Sequence, residues 1–94
     1  SMKWYGYVGY FLAGGFLANA VPHLMMGVTG QGFRTPFGNP SPAVVNALWG
    51  FANLAVGWAI ITGLGGLGWG FNRRVGAAAL GFLSMSVFLA AYFG

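Results

Sequence analysis

The stretch WYGYVGYFLAGGFLANAVPHLMMGVTGQGF, from Trp4 to Phe33, contains no charged side chain. A helix needs about 20 apolar residues to cross the hydrocarbon of a bilayer. The stretch therefore holds one crossing and is too short for two. Two more charge-free stretches follow, Thr35 to Asn72 and Val75 to Gly94, and each again holds one. The reading places the crossings at about Tyr5 to Leu24, Val44 to Gly63 and Val75 to Phe93, inside helices at about 4–29, 42–64 and 74–93. The expected fold is all-α: an integral membrane protein with three transmembrane helices in a single domain over residues 1–94.

The punctuation between the runs agrees. Gly30 to Pro42 holds Pro36, Pro40 and Pro42 together with glycines, which cannot continue a helix. It reads as an ordered Pro/Gly-rich outer loop. Ser41 followed by Pro42 reads as an N-cap and a first helical residue. Gly65-Gly66-Leu67-Gly68-Trp69-Gly70-Phe71-Asn72 is the second break, closed by Arg73 and Arg74. Lys3, the first apolar run and Ala18-Asn19-Ala20 also fit a signal peptide with its cleavage site. The run continues apolar through Met25 and Met26, so a span is expected instead.

Composition removes whole classes of chemistry. The 94 residues include 4 Lys and Arg, no Asp or Glu and no Cys, and 57% are hydrophobic. Without a carboxylate there is no side-chain acid pair, no Asp-anchored triad and no carboxylate calcium or two-metal site. Without Cys there is no disulfide, thiol catalysis or thiolate metal site. Four scattered cations form no basic patch, so no nucleic-acid partner is expected. The expected partner is the lipid bilayer. Eighteen glycines, with small-residue spacings such as Gly14-x3-Ala18 and Ala77-x3-Gly81, suit close helix approach. They also suit a homo-oligomer of two to four chains.

Polar side chains at membrane depth carry the functional information. Asn19 and His23 are spaced i, i+4 and share a face of the first helix. Asn46, Trp49 and Asn53 share a face of the second, with Gly50 and Gly57. At about 1.5 Å of rise per residue, Asn19 lies roughly 7 Å, His23 roughly 13 Å and Asn46 roughly 11 Å above the middle. Asn53 sits near the centre and Trp49 level with Asn19. The stripes overlap in the outer half, so the expected ligand-binding or pore-lining set is Asn19, His23, Asn46, Trp49 and Asn53. Arg34 is expected at the mouth, on a loop that serves either as a lid or as an interfacial hairpin. The competing structural role is helix-to-helix hydrogen bonding, which contributes about 0.6 to 2 kcal/mol per group. Pro22 leaves the Ala18 carbonyl without its helical donor and is expected to bend the helix. Ser84 and Ser86 are expected to bond back to their own helix.

Three functional classes follow. The first is a channel, transporter or binding protein for a small neutral or anionic solute. The second is a cofactor- or lipid-binding protein, or a membrane enzyme using His23. The third is a structural or accessory subunit of a membrane complex. No metal site and no cofactor is expected, with haem through His23 as the alternative; catalysis is not the favoured reading.

Orientation follows from loop cations. Lys3, Arg73 and Arg74 share one side and Arg34 stands alone on the other. This predicts a bacterial-type inner-membrane protein with its N-terminus cytoplasmic and its C-terminus outside. Reporter fusions at Gly94 and within residues 65–72 check the orientation. Activity of an external reporter at Gly94 and of a cytoplasmic reporter in the loop is expected, and the reverse pattern refutes it.

Overall fold

The computed structural model describes residues 2–94. Three helices are each long and apolar enough to cross a membrane: α1 (Trp4–Val28), α2 (Ala43–Gly63) and α3 (Arg73–Phe93). A short antiparallel hairpin of β1 (Phe33–Thr35) and β2 (Gly38–Ser41) joins α1 to α2. The fold is therefore helical apart from that hairpin, the arrangement of a small membrane protein.

The helix ends have a common cause. After α1, Gly30 takes φ +76°, and after α2, Gly65 takes φ +103°. A left-handed residue there lets the chain fold back onto the last turn. The Gly30 N–H donates to the Gly27 carbonyl and that of Gln31 to Met26. The Gly65 N–H likewise donates to Thr62 and that of Gly66 to Ile61. Both helices thus end in the same two-bond motif, which satisfies carbonyls that would otherwise be stranded near hydrocarbon. Pro22 is accommodated within α1, which runs on to Val28.

The start of α2 departs from expectation. Ser41 does not cap it: Pro42 occupies the N-cap position and no side chain caps the helix. The Ser41 hydroxyl is engaged inside the hairpin, 2.6 Å from the Thr35 hydroxyl and 3.1 Å from the Gly38 carbonyl that accepts from it. Pairing of Phe33 with Ser41 draws that side chain away from the helix. At α3 the expected kind of cap does occur. The Asn72 side chain accepts from the backbone N–H of Arg74 and Val75, and it also donates to the Leu67 carbonyl at 2.8 Å.

α1 is the centre of the molecule. It packs antiparallel against α2 and parallel against α3, while α2 and α3 make no substantial contact with each other. The 64–72 segment crosses beneath α1 to connect them. Tyr10, fully buried, holds that crossover by donating its hydroxyl hydrogen to the carbonyls of Leu64 and Gly66. Ala13 and Ile61 pack with Tyr10 as the small apolar core at this end.

Backbone proximity sets both interfaces. On the α3 side, a Cβ on Gly81 would overlap the Phe11 carbonyl, and one on Gly14 would lie 2.8 Å from the Phe82 nitrogen. On the α2 side, Gly50 meets Leu24 and Gly57 meets the Ala13 carbonyl. Gly81→Ala is therefore expected to push α3 from α1, with a loss of about 1–3 kcal/mol as in other overpacked interiors. Gly63→Ala, whose new methyl meets nothing within 4 Å, is the control and should be near neutral. Unfolding in mixed micelles by added SDS measures both, and equal midpoints would refute the assignment.

Candidate functional site

The polar side chains of α1 and α2 meet inside their shared interface as two pairs. Nearer the hairpin, His23 and Asn46 lie 2.9 Å apart, Nδ1 to Oδ1. Deeper along the helices, Asn19 Nδ2 donates to Asn53 Oδ1 at 3.1 Å. Asn46 is fully buried, and His23 and Asn53 are nearly so; Asn19 is half-buried. None of the three buried groups faces lipid, as the cost of unpaired polar atoms in hydrocarbon demands.

Asn46 is the most heavily bonded side chain of the set. Its Nδ2 donates to the carbonyls of Phe33 (2.9 Å), Ser41 (3.1 Å) and Pro42 (3.2 Å). Three acceptors around the nitrogen fix which way the amide points, so the atom facing His23 is the oxygen. An amide oxygen only accepts, so His23 must carry hydrogen on Nδ1. In the neutral ring Nε2 is then the acceptor. No side chain or carbonyl among the described residues bonds that nitrogen, and no buried polar side-chain atom among them lacks a partner. Nε2 therefore keeps some accessible surface. The His23 ring also lies 5.5 Å from that of Phe33, which packs at 5.0 Å on Phe93 of α3. The hairpin is thus tied to all three helices.

The second pair is oriented by the same logic. Asn53 Nδ2 donates to the Trp49 carbonyl at 2.9 Å, one turn back, which turns its oxygen toward Asn19. Asn19 spends one Nδ2 hydrogen on that bond. Its own Oδ1 accepts from no described residue and likewise retains accessible surface.

The remaining expected residues stand apart from these pairs. Trp49 contributes its carbonyl; its half-buried ring packs edge-on against Phe37 of the hairpin turn at 5.4 Å. Arg34 does not lie over the amides. Its guanidinium stands 5.2 Å above the Tyr92 ring near the end of α3. Strand alternation explains this: Phe33 and Arg34 are adjacent in β1, so when Phe33 faces His23 its neighbour points elsewhere. Ser86 bonds back to the Phe82 carbonyl at 2.7 Å. Ser84 instead lines a groove.

That groove, about 360 Å³, opens between α1 and α3. Phe11, Leu12 and Phe16 form one wall, Gly81, Ser84 and Met85 the other, and Asn19 and Asn53 are the amides that reach it. It is apolar except for those amides and the serine. No family model matches the chain, and no curated protein and no solved structure matches it. Sequence reasoning missed Tyr10, Thr35 and Ser41 as polar connectors. For Tyr10 a signal existed, because it heads the i, i+3, i+4 row of Tyr10, Ala13 and Gly14 that α1 buries.

The geometry ranks the two asparagines of α2. Asn46→Ala takes the side-chain partner from His23 Nδ1 and from the Phe33 and Ser41 carbonyls, while the Pro42 carbonyl keeps its bond from the residue-46 backbone N–H; Asn53→Ala removes two bonds. At roughly 1 kcal/mol per bond, with more where a buried partner is left unpaired, Asn46→Ala should cost about 2–4 kcal/mol. Asn53→Ala should cost about half that. A double-mutant cycle on His23→Ala and Asn46→Ala should show coupling near 1 kcal/mol. Additive effects would contradict the pair.

Proposed function

We propose that this chain is a membrane-embedded binding protein for a neutral, lipid-soluble molecule that carries a hydrogen-bond donor. The α1–α3 groove would take such a molecule laterally from the bilayer. One observation carries the reading: Asn19, which lines the groove, is held by Asn53 through its amide nitrogen with its carbonyl oxygen uncommitted, and apart from these two amides and Ser84 the walls are apolar. A fixed acceptor in hydrocarbon selects a donor-bearing ligand, because leaving that acceptor unpaired is costly there. Ser84 on the opposite wall adds a hydroxyl that can donate or accept.

Among the functions expected from the sequence, this favours binding over a pore. The inward polar groups are bonded to one another across α1 and α2, and the groove opens at the side of the helices rather than along a central axis. An assembly of two to four copies, with the N-terminus cytoplasmic, is part of the same proposal. The motive for the assembly is the small chain, whose three helices alone enclose little space.

Photolabelling tests the reading. The protein in lipid nanodiscs is exposed to a long-chain alcohol bearing a diazirine, and to the matching hydrocarbon without the hydroxyl. The alcohol should label Phe11, Phe16 or Met85 in preference to Leu48 and Leu54 on the outer face of α2. Asn19→Leu should lower that labelling roughly fivefold, the worth of one hydrogen bond of about 1 kcal/mol. Equal labelling of groove and α2 face, unaffected by the substitution, refutes the proposal.

A further inference from the structure

A separate surface lies at the opposite end of the molecule from the hairpin. Lys3 precedes α1, and Arg73 and Arg74 open α3. Because α1 and α3 run parallel, these three of the four cations lie at one end. The chain contains no Asp or Glu, so no side chain within it can neutralise them. Lys3 and Arg73 are exposed, and Arg74 lies half-buried with its guanidinium against Gly65 of the crossover. The start of a helix bears partial positive charge, so both arginines sit where a cation is electrostatically disfavoured unless an external anion is present.

Aromatic rings surround this charge. Trp69 is 98% exposed and Phe71 84% exposed, both held out by the crossover segment. Trp4, 75% exposed, packs edge-on with Tyr5 at 5.6 Å beside Lys3. Indole rings favour the headgroup level of a bilayer, where one edge is wet and the face is apolar. Large exposed rings beside uncompensated cations fit a layer that is apolar on one side and anionic on the other.

We propose that the crossover end, formed by Lys3, Trp4, Trp69, Arg73 and Arg74, is a docking surface for anionic phospholipid headgroups. The cations engage the phosphate and the rings seat beside the upper acyl chains. Arg34 serves a different purpose, since it is stacked on Tyr92 at the other end. Each basic residue near an anionic surface contributes about 1 kcal/mol, which corresponds to roughly a fivefold preference.

Native mass spectrometry of the full chain released from mixed phosphatidylglycerol and phosphatidylcholine nanodiscs tests this. The wild type should retain phosphatidylglycerol several-fold over phosphatidylcholine at equal mole fraction. R73Q/R74Q should lower that preference tenfold or more, or abolish it, while R34Q leaves it unchanged. K3Q and W69A give the same test away from α3 should the double variant lose its helical circular dichroism; each should lower the preference severalfold. Equal retention of the two lipids by the wild type overturns the proposal. So does a preference unaffected by R73Q/R74Q, or by K3Q and W69A together where the double variant does not fold. Excess soluble glycerol phosphate should not displace the lipid. If it does, a free phosphate ester is the occupant and the lipid assignment fails.

Discussion

In hydrocarbon, apolar side chains have no water to escape, so burying them against each other gives no drive for helices to associate. Helices there hold together by close backbone packing and by hydrogen bonds whose alternative is an unpaired group in lipid. This chain uses both devices toward α2 and one toward α3. Toward α2 the polar pairs His23–Asn46 and Asn19–Asn53 add to the close backbone contacts at Gly27, Gly50 and Gly57. Toward α3 the contact is steric, through Gly14 and Gly81. Since α2 and α3 hardly touch, both depend on α1 for their place.

Asn46 links the polar side to the chain connection. One amide bonds an α1 imidazole, a β1 carbonyl, the last β2 residue and Pro42 at the start of α2. α2 starts without a side-chain cap, and the amide instead ties that entry segment to the hairpin. The same bonds fix the imidazole tautomer, so the accessible nitrogen of His23 is determined by a residue of another helix. The conformation of the hairpin and the chemistry of the histidine are one constraint.

Much of the helix layout was legible because it follows from length and charge. Helices expected at about 4–29, 42–64 and 74–93 occupy Trp4–Val28, Ala43–Gly63 and Arg73–Phe93. The shared faces of Asn19 with His23 and of Asn46 with Asn53 were legible from helical periodicity. Which residue bonds which was not. Placing each helix by its own midplane set Trp49 level with Asn19, yet the amide partner of Asn19 is Asn53. The register comes from the backbone contacts at Gly50 and Gly57, which no single-helix pattern contains. The hairpin was hidden for a related reason: Ser41 satisfies the signature of a cap, and only its pairing with Phe33 shows that it belongs to a strand. Arg34 follows that strand to Tyr92. Nor does any run of residues state that the first helix, rather than the second, lies in the middle.

The contact that holds α3 also explains the groove beside it. At Gly14 and Gly81 the two backbones come within the thickness of a missing methyl group. Phe11, Phe16 and Met85 stand close by on the same pair of helices, and side chains of that size cannot follow the backbones into so narrow a gap. They line the space that is left between the two helices instead. Asn19 reaches that space because its i, i+4 partner His23 is drawn to α2 by Asn46, which sets the rotation of this part of α1. The small-residue contact with α3 and the polar pairs with α2 thus place the Asn19 amide, beside that of Asn53, at the edge of a largely apolar recess. Without the glycines α3 would stand too far away to form the second wall.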